Sequence, residues 1–426
     1  MKVIVPDYYK EFKCIAGACK DTCCAGWEVD VDEESYQRYM QAGGSIGERL
    51  KAVMIPKSEG DGCSFRLMPD KRCPFLNEKN LCDIYTELGE DALCDTCTYF
   101  PRFVHDYGSC REMGPAPSCF TAAQLMVAKQ AETELMSFED KTIPVQPNDI
   151  CPEAFFMLQD LRREIFGELW DEESGVHLHK HLISIMDKVN AAESGLEVLL
   201  GEFTDDTEEI CDSYNKHEDN RTEGNAGQTA RREPVKKSVT DNKETVFEKG
   251  PGDIYKGSAG SNDTEVCNVE EDTVSRWLKP FEGMEIINND WKKLLEIHHE
   301  FCDRCPDDAQ KEKVYREFET GVTFSKGAFK QLLFYYFFRY VSEAVYDGRL
   351  MCAVKTGVVA YLAVKRLCVA VYHKNKSLKE DEMADIFHLY SRQIEHSDIN
   401  FEHYRDAYDG SPEYDTEVLK KLLYET

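Results

Sequence analysis

The sequence predicts a mostly α-helical protein, in which a cysteine-rich, irregular, metal-binding N-terminal part packs on a helical body. Three observations predict it. Eleven of the 18 cysteines fall between Cys14 and Cys119, too dense a set to be scattered core residues. Glycine and proline break the same stretch into short pieces, among them Gly43-Gly44, Pro56, Pro69, Pro74, Gly108 and Pro115. From Thr121 onward, apolar residues recur at helical spacing and alternating, strand-like stretches are few.

The chain has 426 residues, with 42% hydrophobic and 11% aromatic residues, enough for a sizeable core and for two to three domains. Its formal net charge of −29 argues against nucleic acid, which needs a basic footprint. Such a field keeps a protein soluble and attracts a basic, lysine-bearing partner. The opening residues Met1 to Tyr9 lack the apolar core of a signal peptide. The most apolar run, Val354 to Val371, carries Lys355, Lys365 and Arg366, so no transmembrane segment is expected, and peripheral membrane association stays open. These features predict a cytoplasmic protein, in which thiols stay reduced and ligate metal rather than pair as disulfides.

Residues 1–120 form the cysteine-rich region, with one amphipathic helix expected from Asp32 to about Gln41. Its irregularity suggests folding energy drawn from a metal site. Residues 121–201 form a helical segment with runs at Ala122 to Phe138, Pro152 to Trp170 and Val176 to Leu200. Residues 202–276 lose apolar periodicity and turn acidic, as in a disordered linker or surface insertion; Cys211 and Cys267 lie there as bystanders. Residues 277–426 form a C-terminal helical domain. Ser325 reads as an N-cap, followed by one buried face holding Leu332, Leu333, Tyr336, Phe337, Tyr340 and Val341. A second apolar helix spans about Leu350 to His373. Ser377-x-x-Glu380 reads as a capping box before a helix with Met383, Ile386, Phe387 and Tyr390 on one face.

The cysteines run as Cys14-x4-Cys19-x3-Cys23-Cys24, then Cys73, Cys82, Cys94-x2-Cys97 and Cys119. Thiolates select zinc, copper(I) or iron–sulfur clusters. Structural zinc commonly takes paired Cys-x2-Cys hairpins, of which there is one here, whereas clusters accept irregular spacings. Neighbouring side chains in a helix or strand diverge, so Cys23 and Cys24 should not share one ion; a polynuclear cluster or two sites could use both. No strand followed by a glycine-rich loop and helix marks a dinucleotide-type cofactor site. The Cys-x3-Cys-x2-Cys signature of radical S-adenosylmethionine enzymes begins at Cys19 and Cys23 but meets Gly26.

Cys14-Ile15-Ala16-Gly17-Ala18-Cys19-Lys20-Asp21-Thr22-Cys23-Cys24-Ala25-Gly26-Trp27 resembles the opening of the flagellin lysine-N-methylase family. Arg72-Cys73-Pro74-Phe75-Leu76, Leu81-Cys82-Asp83-Ile84-Tyr85, Cys97-Thr98-Tyr99-Phe100-Pro101-Arg102 and Ser118-Cys119 resemble it too. So do Tyr336-Phe337-Phe338-Arg339-Tyr340 and the segment Ser391 to Asn400. The N-terminal half is also similar to a broader zinc- or iron-chelating CxxCxxCC family. The resemblance implies methyl transfer from S-adenosylmethionine to lysines of flagellin, with an oxygen-sensitive [4Fe–4S] cluster. It offers Cys14, Cys19, Cys23, Cys24, Cys73, Cys82, Cys97 and Cys119 as metal ligands, of which a single cluster needs four. Cys63, Cys94 and Cys110 lie nearby, outside the matched pattern. Glu395 and His396 are candidate proton acceptors for the lysine ammonium, against a capping role for the whole segment Glu395 to Asn400. Tyr335, Tyr336 and Tyr340 could line an aromatic slot or pack the core, with Arg339 expected to pair with Glu343. A non-catalytic zinc- or iron-binding module and a redox or cluster-carrier protein are the alternatives to an enzyme.

Overall fold

The first strand, β1 (Lys2–Pro6), lies inside a four-stranded sheet because Val3 and Val5 alternate inward and are 1% exposed. The computed structural model describes residues 1–57, 62–145, 150–171, 177–219 and 284–425, with backbone alone for 205–219 and 425. Two short strands follow, β2 (Asp30–Val31) and, after α1 (Glu33–Gln41) and α2 (Gly44–Val53), β3 (Met54–Pro56). With β4 (Cys63–Phe65) they build a second, three-stranded antiparallel sheet in the order β2-β4-β3. Asp32 caps α1 by accepting from the Ser35 amide at 2.8 Å, so the expected helix starts one residue after its cap.

Two short helices, α3 (Asp83–Leu88) and α4 (Asp95–Tyr99), complete the cysteine-rich part. Then β5 (Arg102–Tyr107) and β6 (Cys110–Pro115) form a hairpin, turned at Gly108 with φ of +66°. β1 pairs in parallel with β6 and antiparallel with β7 (Leu135–Glu139), giving the order β5-β6-β1-β7. Here the structure corrects the sequence reading. The helix expected from Ala122 to Phe138 is α5 (Phe120–Ala128) only, and its second half is the edge strand β7. The open edge of β1 recruits Leu135 to Glu139, which overrides their local preference.

The helical body consists of α6 (Pro152–Trp170), α7 (Leu178–Asp219), α8 (Asn289–Arg304), α9 (Asp308–Gly321), α10 (Ser325–Tyr340), α11 (Ala344–Asp347), α12 (Leu350–Asn375), α13 (Glu380–Glu395), α14 (Asp398–Gly410) and α15 (Thr416–Glu425). α6 starts on Pro152, whose fixed φ suits the first helical position. α7 continues to Asp219, beyond Glu202 where the sequence reading begins its acidic linker; 220–276, with Cys267, lies outside the described residues. The backbone of Cys211 is helical.

α10 and α12 are the centre of the core. α10 is buried on all sides except at Lys326 and Arg339, more than the single buried face expected, because α5, α6 and α12 surround it. Gly357 on α12 permits the close crossing: a Cβ there would meet the Phe337 ring at 2.7 Å. The charges on α12 have partners. Lys355 Nζ donates to the Tyr408 carbonyl at 2.8 Å and Lys365 Nζ to Glu319 Oε1 at 2.9 Å. No helix among the described residues is long and apolar enough to cross a membrane.

Two cap assignments also change. Ser325 is the first helical residue of α10 and donates its hydroxyl to the Val322 carbonyl at 2.7 Å. The capping contact of α13 lies two residues beyond Ser377-x-x-Glu380, where the Lys379 amide donates to Glu382 Oε2 at 2.8 Å.

Candidate functional site

The segment Cys14 to Trp27 is an irregular loop, and α13 holds it. Asp21 Oδ2 accepts from His388 Nε2 at 2.8 Å, from Arg392 NH1 at 2.9 Å and from Asn288 Nδ2 at 2.7 Å. Burial disfavours the Asp21 charge, but the His388 bond and the Arg392 charge prevail and hold its carboxyl below the usual range. Arg392, 3% exposed along its side chain, also donates to the carbonyls of Thr22, at 3.1 Å, and Ala25. Lys20 pairs with Asp385 at 2.7 Å and lies 3.8 Å from the centre of the Phe120 ring. Gly26, with φ of +90° and a Cβ position 3.2 Å from Ile287, closes the loop where a larger residue would not fit.

The loop continues into the rest of the cysteine-rich part by backbone pairing. The Gly26 amide donates to the Lys71 carbonyl at 2.9 Å and the Cys73 amide to the Cys24 carbonyl at 2.8 Å. Cys82 bridges Leu76, Cys94 stands just before α4 with its sulfur donating to the Asp30 carbonyl at 3.6 Å, and Cys97 lies in the first turn of that helix. Cys119 caps α5. The eight candidate ligands therefore come from one region, but not onto one point. Cys24, Cys82 and Cys97 pack on the apolar cluster of the small sheet, together with buried Cys73, Cys94 and Cys63. Cys14, Cys19, Cys23 and Cys119 lie outside that cluster, and Cys110 belongs to the main core. Cys23 and Cys24 do not diverge as expected; in this loop, which is neither helix nor strand, their sulfurs are 4.0 Å apart. The shared hydrogen bond lowers the Cys24 thiol and raises that of Cys23. Among the described residues no three His, Cys, Asp or Glu side chains already converge as ligands of one ion. The sixteen cysteines with described side chains are all free thiols. An all-sulfur donor set of this kind fits an iron–sulfur cluster or zinc.

Glu395 is the hub of a second, adjoining network. Its Oε1 accepts from Tyr335 at 2.8 Å, Tyr340 at 2.6 Å and Arg339 at 2.8 Å, and its Oε2 accepts from Ser391. With its side chain 1% exposed and four donors engaged, it is a saturated acceptor rather than an open base. Arg339 thus pairs with Glu395, not Glu343, whose Oε1 instead receives His105 at 2.9 Å. Tyr335, Tyr336 and Tyr340 are all buried, so they pack the core and line no open slot.

His396 sits between Trp27 and Phe100, with ring centroids 5.0 and 5.5 Å away. Trp27 Nε1 donates to the Cys23 carbonyl at 2.7 Å, which fixes this half-buried aromatic trio beside the cysteine loop. Burial, with Arg392 and Arg339 nearby, brings the imidazole down to about 3 and keeps it neutral. Such an imidazole is a weak proton acceptor. Gln393 and Asn400 fasten the chain at Glu285 to Ile287: Gln393 Oε1 accepts from the Ile287 amide at 3.2 Å and Asn400 Oδ1 from the Glu285 amide at 3.0 Å.

Sequence reasoning missed the grip of His388, Arg392 and Asn288 on Asp21. Asp21 and Arg392 both stand inside stretches that carry the resemblance, but their 371-residue separation hides the contact.

Comparison with known proteins gives the following. Residues 264–416 match the FliB lysine N-methylase C-terminal domain. The chain is 25% identical over 154 residues to the lysine-N-methylase of Salmonella typhimurium strain LT2, covering 35% of this chain and 38% of that protein. It is 29% identical over 109 residues to the flagellar biosynthetic protein FliU of Salmonella muenchen, covering 25% of this chain and 64% of that protein. The matches thus span less than two thirds of those relatives' lengths. No solved structure matches.

Proposed function

We propose, from the match of residues 264–416 to the FliB lysine N-methylase C-terminal domain, that this chain is a protein lysine methyltransferase. It takes the methyl group from S-adenosylmethionine, uses a [4Fe–4S] cluster held by N-terminal cysteines, and acts on flagellin in the cytoplasm. The observation that carries this reading is the grip of α13, inside the family-matched region, on the cysteine loop through Asp21. That contact makes the thiols and the matched helices parts of one site. FliU is named as a flagellar biosynthetic protein, which supports a flagellar substrate. The net charge of −29 suits a lysine-bearing partner.

The ligand candidates are Cys14, Cys19, Cys23, Cys24, Cys73, Cys82, Cys97 and Cys119. When bound, the cluster supplies redox chemistry or a charged, polarising centre beside the cofactor. The chain's own residues supply the surroundings. The half-buried rings of Trp27 and Phe100 offer π-faces that attract a sulfonium or an ammonium. Lysine is charged in water, with a reference pKa of about 10.4, and a direct displacement requires its neutral form. Glu395 positions Tyr335, Tyr340 and Arg339 behind the trio.

The test is a methylation assay with anaerobically prepared protein, S-adenosylmethionine and flagellin, read by peptide mass spectrometry. Mass gains in methyl units on flagellin lysines are expected, and Trp27→Ala should lower kcat/KM at least tenfold. Absence of methylation on flagellin and on lysine peptides, with metal bound, would leave a metal-binding module.

A further inference from the structure

The cysteine set divides at the vicinal pair. We infer that the chain carries two separate thiolate metal sites, one drawing on Cys14, Cys19, Cys23 and Cys119, the other on four of Cys24, Cys73, Cys82, Cys94 and Cys97. The inference rests on reading these thiols as metal ligands, and not on methyl transfer.

Packing supports the division. Cys24, Cys73, Cys82, Cys94 and Cys97 share one apolar cluster with Val31, Phe65, Phe75 and Ile84, built on the small sheet. The other four are absent from it. Backbone geometry agrees. The Cys73 amide bonds the Cys24 carbonyl at 2.8 Å, the hairpin after Cys73 brings Cys82 back through its bridge to Leu76, and Cys97 lies one turn from Cys94. On the other side, Lys20 Nζ lies 3.8 Å from the centre of the Phe120 ring, which ties the chain next to Cys19 to the start of α5, where Cys119 stands. Cys14 folds back on the same turn, its sulfur accepting the Ala16 amide at 3.3 Å while the Cys19 amide bonds the Ala16 carbonyl at 3.0 Å.

Among the described residues, the hydrogen bond between the Cys23 and Cys24 sulfurs joins the two sets. The positions imply different work. The second set is embedded in a local core and holds residues 24–97 together, since metal binding there is folding energy. The first lies largely in the loop gripped by α13 and includes exposed Cys14, so it is open to solvent on the side of the loop.

The experiment is elemental analysis of the full chain after anaerobic purification and reconstitution with iron and sulfide, with visible absorption as a second readout. Two sites give about 8 iron per chain, or about 4 iron with 1 zinc where the second site takes zinc. Cys14→Ser and Cys119→Ser should remove one site's metal and leave the other, and Cys73→Ser or Cys97→Ser should do the converse. Wild-type content of one cluster or one zinc alone would overturn the division while leaving the metal reading intact. So would complete metal loss in Cys14→Ser with unchanged circular dichroism. Absence of metal in the wild type would overturn both.

Discussion

Arg392 does more for the site than either residue singled out as a proton acceptor. Its fork takes an Asp21 oxygen and two loop carbonyls, and the adjoining positions Ser391, Gln393, Glu395 and His396 are all spent on local bonds or stacking. Arg392→Ala leaves a buried acceptor set without its main donor and should cost about 3 kcal/mol by urea unfolding, with faster alkylation of Cys24. Arg392→Lys should recover only part of this, because an ammonium cannot span the three acceptors. Unchanged unfolding and alkylation in both variants would remove the grip from the account. His396 gives a pH signature. Its folded value, near 3, lies below the unfolded value of about 6.5, so the unfolded chain binds the proton first as pH falls. Its contribution is complete above about pH 6.5 and is lost progressively as pH drops from there toward 3. His396→Phe should therefore flatten the fall in stability between pH 6.5 and 4, measured by denaturant unfolding. An identical slope in variant and wild type would show that the imidazole protonates freely. The gathering of the cysteines in one region was legible in the sequence from their density between Cys14 and Cys119. The partners of Asp21 and the division of the thiols were not, since both depend on chain segments brought together from far apart.

At the scale of elements, the sheet and the helical body are joined by a buried ion pair. Arg162 on α6 donates to both oxygens of Glu112 on β6, at 2.7 Å to Oε2, and to the Phe338 carbonyl of α10 at 2.9 Å. The two side chains are 2% and 0% exposed. Glu112→Ala strands a guanidinium among three elements and should destabilise the protein by about 3–5 kcal/mol by urea unfolding. A paired replacement, Glu112→Leu with Arg162→Met, should recover much of that loss; a double variant as unstable as the single one would contradict a charge-burial cause. The helices were legible where apolar spacing was strong. α6 falls at Pro152 to Trp170 and α12 begins at Leu350, as the sequence predicts. The strands were not legible. β1 and β7 are short, and β7 is exposed along its length, so its only reason to be a strand is the open edge of β1. α2 was missed as well, because its start at Gly44 follows another glycine and reads as a turn.

Across the whole molecule, residues 1–203 and 273–426 form one unit, so the cysteine-rich part and the family-matched helices are not separate modules in tandem. The sequence reading divided them at residue 120, where composition changes; the fold places α5 against α13 and the loop of Cys14 to Trp27 against both. Composition marks where chemistry changes along a chain, not where contacts stop. The central claim is that the thiol-held metal and the matched helices act together in lysine methylation. The most direct measurement compares methyl transfer to flagellin lysines, under anaerobic conditions with S-adenosylmethionine, by metal-loaded protein and by folded protein stripped of metal, with metal content and circular dichroism recorded on the same samples. Methyl-unit mass gains are expected from the loaded protein, falling in proportion to metal content. Full-rate methylation by the stripped, folded protein would contradict the central claim.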